Sequence, residues 1–241
     1  MSDIIIIPDI HEEMGFLDKI MKKYPDAEKY IFLGDWFDSF VTPESPHRAI
    51  QAAQFIKDHL DDPRYIFLIG NHDAHYRWRG NFLCSGYVYA KAIAIEQILT
   101  REDWAKFHVF YEQDGWVLSH AGFHKSVLPN MKWDRKKMHE AALTALEMAN
   151  MGKIHNLFQA GAARGGYRDR GGCIWLDWNM EFKPVEGLQQ IVGHTPGKVP
   201  RQKGNNWCLD TQRHVGILRD GKLTTDKVLD SLDLYAEEVA R

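Results

Sequence analysis

A short apolar strand followed directly by a polar motif occurs three times in the first 73 residues, and this repeat constrains the fold more than any other feature. Each run is rich in Ile, Phe or Leu and is bounded by polar residues, as expected for a buried strand. The motifs that follow read DIH, GDWFD and GNHD. The predicted strands are Asp3 to Ile7, Tyr30 to Leu33 and Tyr65 to Ile69.

Apolar residues at helical spacing lie between these strands, from Glu13 to Tyr24 and from about His47 to Leu60. Alternating strands and helices are typical of an α/β protein with parallel strands. The carboxyl ends of parallel strands meet at one edge of a sheet, where successive loops converge and ligands bind. We therefore expect the three motifs to lie together at one edge.

The middle of the chain continues this pattern and then changes character. Helices are predicted from about Tyr87 to Leu99 and from Arg101 to Phe107, and strands from Val109 to Tyr111 and from Trp116 to Ser119, just before His120. A mostly helical stretch then reaches residue 150, and a segment rich in glycine and arginine follows at 161–172. We interpret 1–241 as one domain with a largely helical insertion, at about 124–187, that covers the site.

The last quarter of the chain is predicted to be mostly strand. Gln189 to Val192 reads as a strand that carries a GHTP motif. Three further strands, with an Asp-Gly turn, suggest a closing antiparallel meander: Trp207 to Leu209, His214 to Leu218 and Lys222 to Val228. A final amphipathic helix is predicted from about Asp230 to Ala240.

Composition excludes several function classes. Thirty Lys and Arg against 33 Asp and Glu give a net charge of −3, so no global basic field favours nucleic acid or an anionic membrane. The three widely spaced cysteines fit a reducing compartment better than a disulfide framework. The first residues include no basic leader and only a four-residue apolar run, so we expect a cytoplasmic protein, in a host cell if it is phage-encoded.

The motifs place metal-binding side chains at successive strand ends. Asp9 and His11 are two residues apart where the chain leaves the first strand, so both can turn toward one ion. Asp35 follows Gly34, which permits a tight turn, and its carboxylate can bridge two cations that lie ~3.5 to 4 Å apart. The alternative to a metal-binding role is that these aspartates belong to an Asp-rich turn or cap a helix. That alternative fits Asp38 better than Asp35.

GNHD is the most specific segment of the chain. Asn71 offers a neutral carbonyl oxygen to a metal that already has charged ligands, and His72 can donate a proton to a leaving group. His120 and His194 each follow an apolar strand beside small residues. Together these side chains form a ligand set of two Asp, three His and one Asn, which suits Mn, Fe, Zn, Ni or Mg.

This series of motifs, from the first strand to GHTP, resembles the calcineurin-like metallophosphoesterase superfamily over nearly the whole chain. The SHAG and GHTP forms are most similar to its phosphoprotein phosphatase branch, which includes bacterial and phage phosphatases and symmetrical diadenosine tetraphosphatases. The resemblance implies a four-layer αββα sandwich, in which two mixed β-sheets are flanked by helices.

The resemblance also implies roles for individual residues. Two divalent cations, manganese first among them, are expected: one held by Asp9, His11 and Asp35, the other by Asp35, Asn71, His120 and His194. A hydroxide between the cations would attack a phosphate monoester in line, and His72, oriented by Asp38, would protonate the leaving group.

The chain departs from the phosphatase branch at one important position. The branch motif GDxxDRG has an arginine that holds the substrate phosphate, whereas Ser39 follows Asp38 here. A second branch arginine is expected near 174–179, where this chain has Asp177. At least one other arginine is therefore expected to contact phosphate, from a set of five candidates: Arg77, Arg79, Arg164, Arg168 and Arg170.

Three functions fit this sequence. The leading one is a metal-dependent phosphatase acting on a phosphorylated small molecule, nucleotide or protein. The missing arginine favours a phosphodiesterase, a nuclease or a dinucleoside polyphosphate hydrolase on the same metal site, although the acidic net charge and the GHTP ending oppose a nuclease. A non-catalytic scaffold would be expected to lose ligands, and none is lost here.

Overall fold

A computed structural model describes residues 3–41 and 45–230 of the chain. The strands are β1 (Ile4–Ile7), β2 (Lys29–Phe32), β3 (Tyr65–Phe67), β4 (Phe110–Gln113), β5 (Trp116–Ser119), β6 (Gln189–Val192), β7 (Arg201–Lys203), β8 (Asn206–Cys208), β9 (His214–Arg219) and β10 (Lys222–Lys227). The α-helices are α1 (Met14–Lys23), α2 (Pro46–His59), α3 (Asn71–Arg77), α4 (Tyr89–Glu96), α5 (Arg101–Ala105) and α6 (Arg135–Asn150). The predicted final helix lies outside the described residues from position 231 onward.

The strands form two mixed five-stranded sheets. The first has the order β10-β9-β1-β2-β3, and the second has the order β4-β5-β6-β8-β7. Strands β1, β2 and β3 are parallel, as are β5, β6 and β8. The carboxyl ends of the parallel strands therefore bring their motifs to one edge of each sheet, as predicted.

Strand β1 is apolar throughout because both of its faces are covered. Ile4 and Ile6 pack in a cluster with Leu118 and Ile191 of the second sheet. Ile5 and Ile7 point to the opposite face, since side chains alternate along a strand, and they pack in a cluster that contains residues of α1 and α2. The layers are thus helix, sheet, sheet and helix, which confirms the predicted αββα sandwich.

The predicted closing meander is wrong. Strand β8 lies in the second sheet, parallel to β6 and antiparallel to β7, a strand that the sequence did not predict. Strands β9 and β10 form a hairpin in the first sheet, where β9 pairs with β1. The predicted turn is present at Asp220 and Gly221, with φ values of 50° and 73°. Turn chemistry identifies a hairpin, but the choice of sheet depends on long-range packing.

Residues 124–187 contain α6 and four short 3-10 turns, the last of them at Ala162–Arg164. The segment 165–187 has no helix or strand. Helix is therefore concentrated in the first half of this stretch. No helix in the described ranges is long and apolar enough to cross a membrane.

Candidate metal centre and active site

The strand-end motifs of both sheets meet at one cavity of about 770 Å³. Its wall includes five of the residues that the sequence predicts as ligands or acid: His11, Asp35, Asn71, His72 and His194. Asp9 and His120 are almost fully buried and contact this group from the protein interior. The structure thus brings together all six predicted metal ligands and the predicted proton donor.

One group of possible ligand atoms comes from Asp9, His11 and Asp35, and these atoms lie within 4.8 Å of one another. Nδ1 of His11 is 2.9 Å from the backbone carbonyl of Phe37, which can only accept a hydrogen bond. Nδ1 therefore carries the proton, and Nε2 presents its lone pair 3.8 Å from Asp35 Oδ2. Burial lowers the pKa of His11 to about 4, which keeps the ring neutral and able to bind a cation.

The second group comprises Asp35, His120 and His194, again within 4.8 Å. Nδ1 of His120 donates to the carbonyl of Leu33 at 2.9 Å, so Nε2 faces the group. That nitrogen lies 3.2 Å from Asp35 Oδ2 and 3.1 Å from Asn71 Oδ1. Asp35 belongs to both groups, which is the arrangement expected of a bridging carboxylate.

The residues present fit two divalent cations. No lysine or arginine of residues 3–41 and 45–230 forms an ion pair with Asp9 or Asp35, although both carboxylates are buried. Nε2 of His194 is buried without a hydrogen-bond partner in the same part of the chain. Buried carboxylates and imidazole nitrogens that face one another are stabilised by a cation that they share. The mixed oxygen and nitrogen donors suit a borderline or hard ion.

Asp210, which was not among the predicted site residues, adds a further carboxylate to the cavity wall. Burial and then the negative charge of Asp35 raise its pKa to about 7. Burial and the charge of Asp210 likewise raise the pKa of Asp9. Asp210 lies two residues after β8, so its strand-end position was the available signal.

His72 faces the cavity from the first turn of α3. Its Nδ1 donates to Asp38 Oδ2 at 2.7 Å, which leaves Nε2 free to face a substrate. Burial lowers the pKa of His72, but the charge of Asp35 and the hydrogen bond to Asp38 outweigh burial and raise that pKa. A protonated imidazole at this position can supply a proton to a leaving oxygen.

Three side chains contact the Asp38 carboxylate. Besides His72, His75 Nε2 lies 2.7 Å from Asp38 Oδ2, and the Tyr76 hydroxyl donates to Oδ1. Burial raises the pKa of the Asp38 carboxyl, but the hydrogen bonds from His72 and His75 outweigh it and keep that pKa below its usual value. Asp38 therefore orients His72 as an ionised partner.

Three residues that lie near the motifs in the sequence, Trp36, His75 and His124, do not form the wall of the catalytic cavity. His75 and Trp36 are fully buried in the interior, and His124 lines a different opening on the surface. From its interior position, the His75 side chain contacts the Asp38 carboxylate.

Asp73, the last letter of GNHD, holds two motifs together. Its carboxylate accepts hydrogen bonds from the backbone N–H groups of Asp35 (2.8 Å), Trp36 (2.9 Å) and Gly70 (2.8 Å). Asp73 was not predicted to have a role, because a carboxylate four residues after a predicted strand end gives no sign that a helix begins there. Its position in the first turn of α3 is that of a capping residue.

Two motif glycines are required by the carboxylates beside them. A Cβ atom at Gly70 would overlap Asp35 Oδ1, and a Cβ atom at Gly193 would overlap Asp9 Oδ1. Each ligand carboxylate therefore occupies space that only a glycine leaves open.

Of the five candidate arginines, only Arg164 lines the catalytic cavity. Its Nη2 lies 2.9 Å from Asp177 Oδ2 and 3.2 Å from Thr195 Oγ1. The guanidinium of Arg77 stacks on Trp78, and Arg79 forms an ion pair with Glu96. The two others line neighbouring openings: Arg168 and Arg170.

Comparison with known proteins supports this description. The family model for calcineurin-like phosphoesterases matches residues 2–198. None of the curated proteins matches the chain by sequence.

Three solved structures illustrate the shared fold. A cold-active protein tyrosine phosphatase of a psychrophilic Shewanella species is 15% identical, with a TM-score of 0.59 over 93% of this chain and 80% of that one. A candidate diadenosine tetraphosphatase is 13% identical, with a TM-score of 0.54 over 95% of each chain. A protein serine/threonine phosphatase of Saccharomyces cerevisiae is 12% identical, with a TM-score of 0.51 over 95% of this chain and 81% of that one. At these identities the similarity concerns the fold.

Proposed function

This chain belongs to the calcineurin-like phosphoesterase family, whose members hydrolyse phosphoric ester bonds, and we propose that it removes phosphate from monoesters with two divalent cations. One observation carries the proposal. Asp35 is common to both groups of ligand atoms, and His72, whose Nδ1 donates to Asp38, faces the same cavity.

We assign the first cation to Asp9, His11 and Asp35, and the second to Asp35, Asn71, His120 and His194. The cations, manganese first among the ions considered, would lower the pKa of an attacking water and neutralise charge on the phosphate. The backbone carbonyls of Phe37 and Leu33 fix the tautomers of His11 and His120, so that Nε2 of each ring faces its cation site.

The other site residues bind the phosphate and transfer the proton. His72 gives the proton on Nε2 to the leaving oxygen, and Asp38 stabilises the imidazolium until then. Arg164 is the candidate phosphate ligand, because it lines the catalytic cavity. It would replace the arginine of the phosphatase branch, whose position is occupied by Ser39 in this chain. Asp177 and Thr195 hold the Arg164 guanidinium in place.

Metal dependence tests the proposal directly. The protein supplied with Mn²⁺ should hydrolyse p-nitrophenyl phosphate, bind about two ions per chain by elemental analysis and lose activity with a chelator. Asp35→Asn and Asn71→Ala should bind fewer ions and lose most activity. His139→Ala, at an exposed position of α6, is the control and should behave as wild type. An Asp35→Asn variant with full manganese-dependent turnover would overturn the proposal.

The acid role of His72 has a separate signature. His72→Ala should lower kcat by about 10²- to 10⁴-fold for an alkyl phosphate, whose leaving group needs a proton. The loss should be much smaller for p-nitrophenyl phosphate, because p-nitrophenolate leaves without protonation. Equal losses on both substrates would show that His72 does not act as the acid.

A phosphodiesterase, or a hydrolase of dinucleoside polyphosphates, is the second candidate. Ser39 replaces the monoesterase arginine, and Phe40 beside it lines the cavity with 70% of its surface exposed. Comparing p-nitrophenyl phosphate with bis(p-nitrophenyl) phosphate separates the two functions. A higher kcat/KM for the diester would favour the second candidate.

A further inference from the structure

A second cavity of about 580 Å³ adjoins the catalytic cavity. We propose that it binds the leaving group of the substrate, and that this group is an alcohol carrying both an aromatic ring and a negative charge. The inference rests on the proposed function and adds the substrate class to it.

The two cavities share part of their wall. Ser85, Arg164 and Trp175 line both of them. Arg164 stands between the cavities and can hold a phosphate at the junction. A substrate whose phosphate lies in the catalytic cavity can therefore extend its leaving group into the second one.

The second cavity lies on the same side of the site as the proton donor. Its wall includes Cys84 and Ser85. Cys84 Sγ is 3.1 Å from Nδ1 of His75, and a Cβ atom on Gly86 would lie 3.1 Å from the Asp38 carboxylate. Both contacted residues belong to the hydrogen-bonded group that holds His72. The leaving oxygen must face His72 to receive its proton. The rest of the leaving group is therefore directed toward residues 84–86, two of which line the second cavity.

Apolar and aromatic side chains form much of the wall. Phe82 and Phe158 lie edge to face with ring centroids 6.3 Å apart. Leu83 exposes 53% of its surface, and Trp175 stands at the junction with the catalytic cavity. Such a wall favours an apolar body, and aromatic neighbours favour a planar ring.

The wall also carries an uncompensated positive charge. Arg168 lines the cavity, and within residues 3–41 and 45–230 it forms no ion pair with an aspartate or glutamate. Its Nη1 donates to the amide oxygens of Asn156 (2.8 Å) and Gln159 (3.2 Å), which position the guanidinium without cancelling its charge. Among the residues that the structure describes, no aspartate or glutamate lines this cavity. The occupant therefore carries an anionic group that reaches Arg168.

Three benzylic or alkyl esters test the proposal, because their leaving alcohols have similar acidity. The manganese-supplied full chain should hydrolyse 4-methylbenzyl phosphate with a kcat/KM about tenfold above that of butyl phosphate, and 4-carboxybenzyl phosphate about tenfold faster again. The kcat/KM ratio of 4-methylbenzyl phosphate to butyl phosphate measures the preference for an aromatic ring. The ratio of 4-carboxybenzyl phosphate to 4-methylbenzyl phosphate measures the preference for a negative charge. Equal kcat/KM values for the three wild-type reactions would overturn the proposal.

Two variants assign these preferences to the cavity. Arg168→Gln should abolish the preference for 4-carboxybenzyl phosphate over 4-methylbenzyl phosphate. Leu83→Ser should reduce the preference for the ring. Arg170→Gln is the matched control, since Arg170 lies in the same segment but not in the wall of this cavity.

The outcomes separate this inference from the proposed function. If Arg168→Gln keeps the wild-type ratio of the two benzyl esters, the leaving group does not use this cavity, although the protein is still a phosphatase. If the wild-type protein hydrolyses none of the esters with cations supplied, both the function and the inference are wrong.

Discussion

At the scale of single residues, four site residues adopt the left-handed backbone region that L-amino acids rarely occupy: His11, Asp35, Asp38 and His194, with φ of 46°, 56°, 70° and 66°. Each such conformation costs about 1–2 kcal/mol. Contacts within the site offset this cost, since both Asp9 oxygens accept from the His194 N–H at 3.0 Å. The sharp turns direct side chains from separate strand ends into one cavity.

Tyr76 should matter for catalysis although it does not line the catalytic cavity. Its hydroxyl donates to Asp38 Oδ1, while His72 and His75 contact the other oxygen. We expect Tyr76→Phe to lower kcat about tenfold at unchanged metal content, because Asp38 loses one of the bonds that fix its orientation toward His72. Steady-state kinetics with elemental analysis measure this.

Tyr111→Phe is the control for Tyr76→Phe, because the Tyr111 hydroxyl accepts a hydrogen bond from Lys29, away from the site. A Tyr76→Phe enzyme with wild-type kcat would show that His72 and His75 hold Asp38 without the hydroxyl.

Gly193 should be essential for metal binding. A methyl group at this position overlaps Asp9 Oδ1, so Gly193→Ala must displace the Asp9 carboxylate or the backbone before His194. We expect the variant to fold but to bind fewer than two ions per chain under conditions that saturate the wild type. Full occupancy, measured by elemental analysis, would contradict the overlap argument.

At the scale of elements, the sequence predicted the features that depend on local patterns of apolar and polar residues. The apolar run of β1 indicated a strand covered on both faces, and the polar motifs after β1, β2 and β3 indicated a common edge. It did not predict that β8 and β9 lie in different sheets, because that choice depends on packing between distant segments. Asp73 was missed for a related reason: its role depends on α3 beginning at Asn71, which a short polar segment does not reveal.

A buried ion pair connects the first motif to α4. Lys91 Nζ lies 2.7 Å from Glu12 Oε1, and both side chains are fully buried. Glu12 also accepts from the backbone N–H of Asp38 at 2.8 Å. Lys91→Met should lower the free energy of unfolding by about 3–5 kcal/mol, because it leaves the Glu12 charge buried without a partner. Denaturant unfolding monitored by circular dichroism measures the loss.

The double variant Glu12→Gln with Lys91→Met distinguishes charge from packing. It should recover part of the lost stability, since no unpaired charge remains. If the double variant is as unstable as Lys91→Met, the loss arises from packing and not from the buried carboxylate.

At the scale of the whole molecule, the proposed metal ligands come from both sheets. Asp9, His11, Asp35 and Asn71 follow strands of the first sheet, whereas His120 and His194 follow strands of the second. Asp9 and His194 are 185 positions apart in the chain, yet they share two hydrogen bonds. The proposed ligand set is therefore complete only when the two sheets have packed together.

Cations bound across the sheets should stabilise the entire fold. An ion that binds the native state at about 100 times its Kd, and does not bind the unfolded chain, adds about 2.7 kcal/mol. For a chain of this size such a gain corresponds to a rise in Tm of about 5–10 °C. We expect Mn²⁺ to raise Tm by this amount over the chelated protein, and Asp35→Asn to lose most of the shift. Equal Tm values with Mn²⁺ and with chelator would mean that the cations do not connect the sheets in the folded protein.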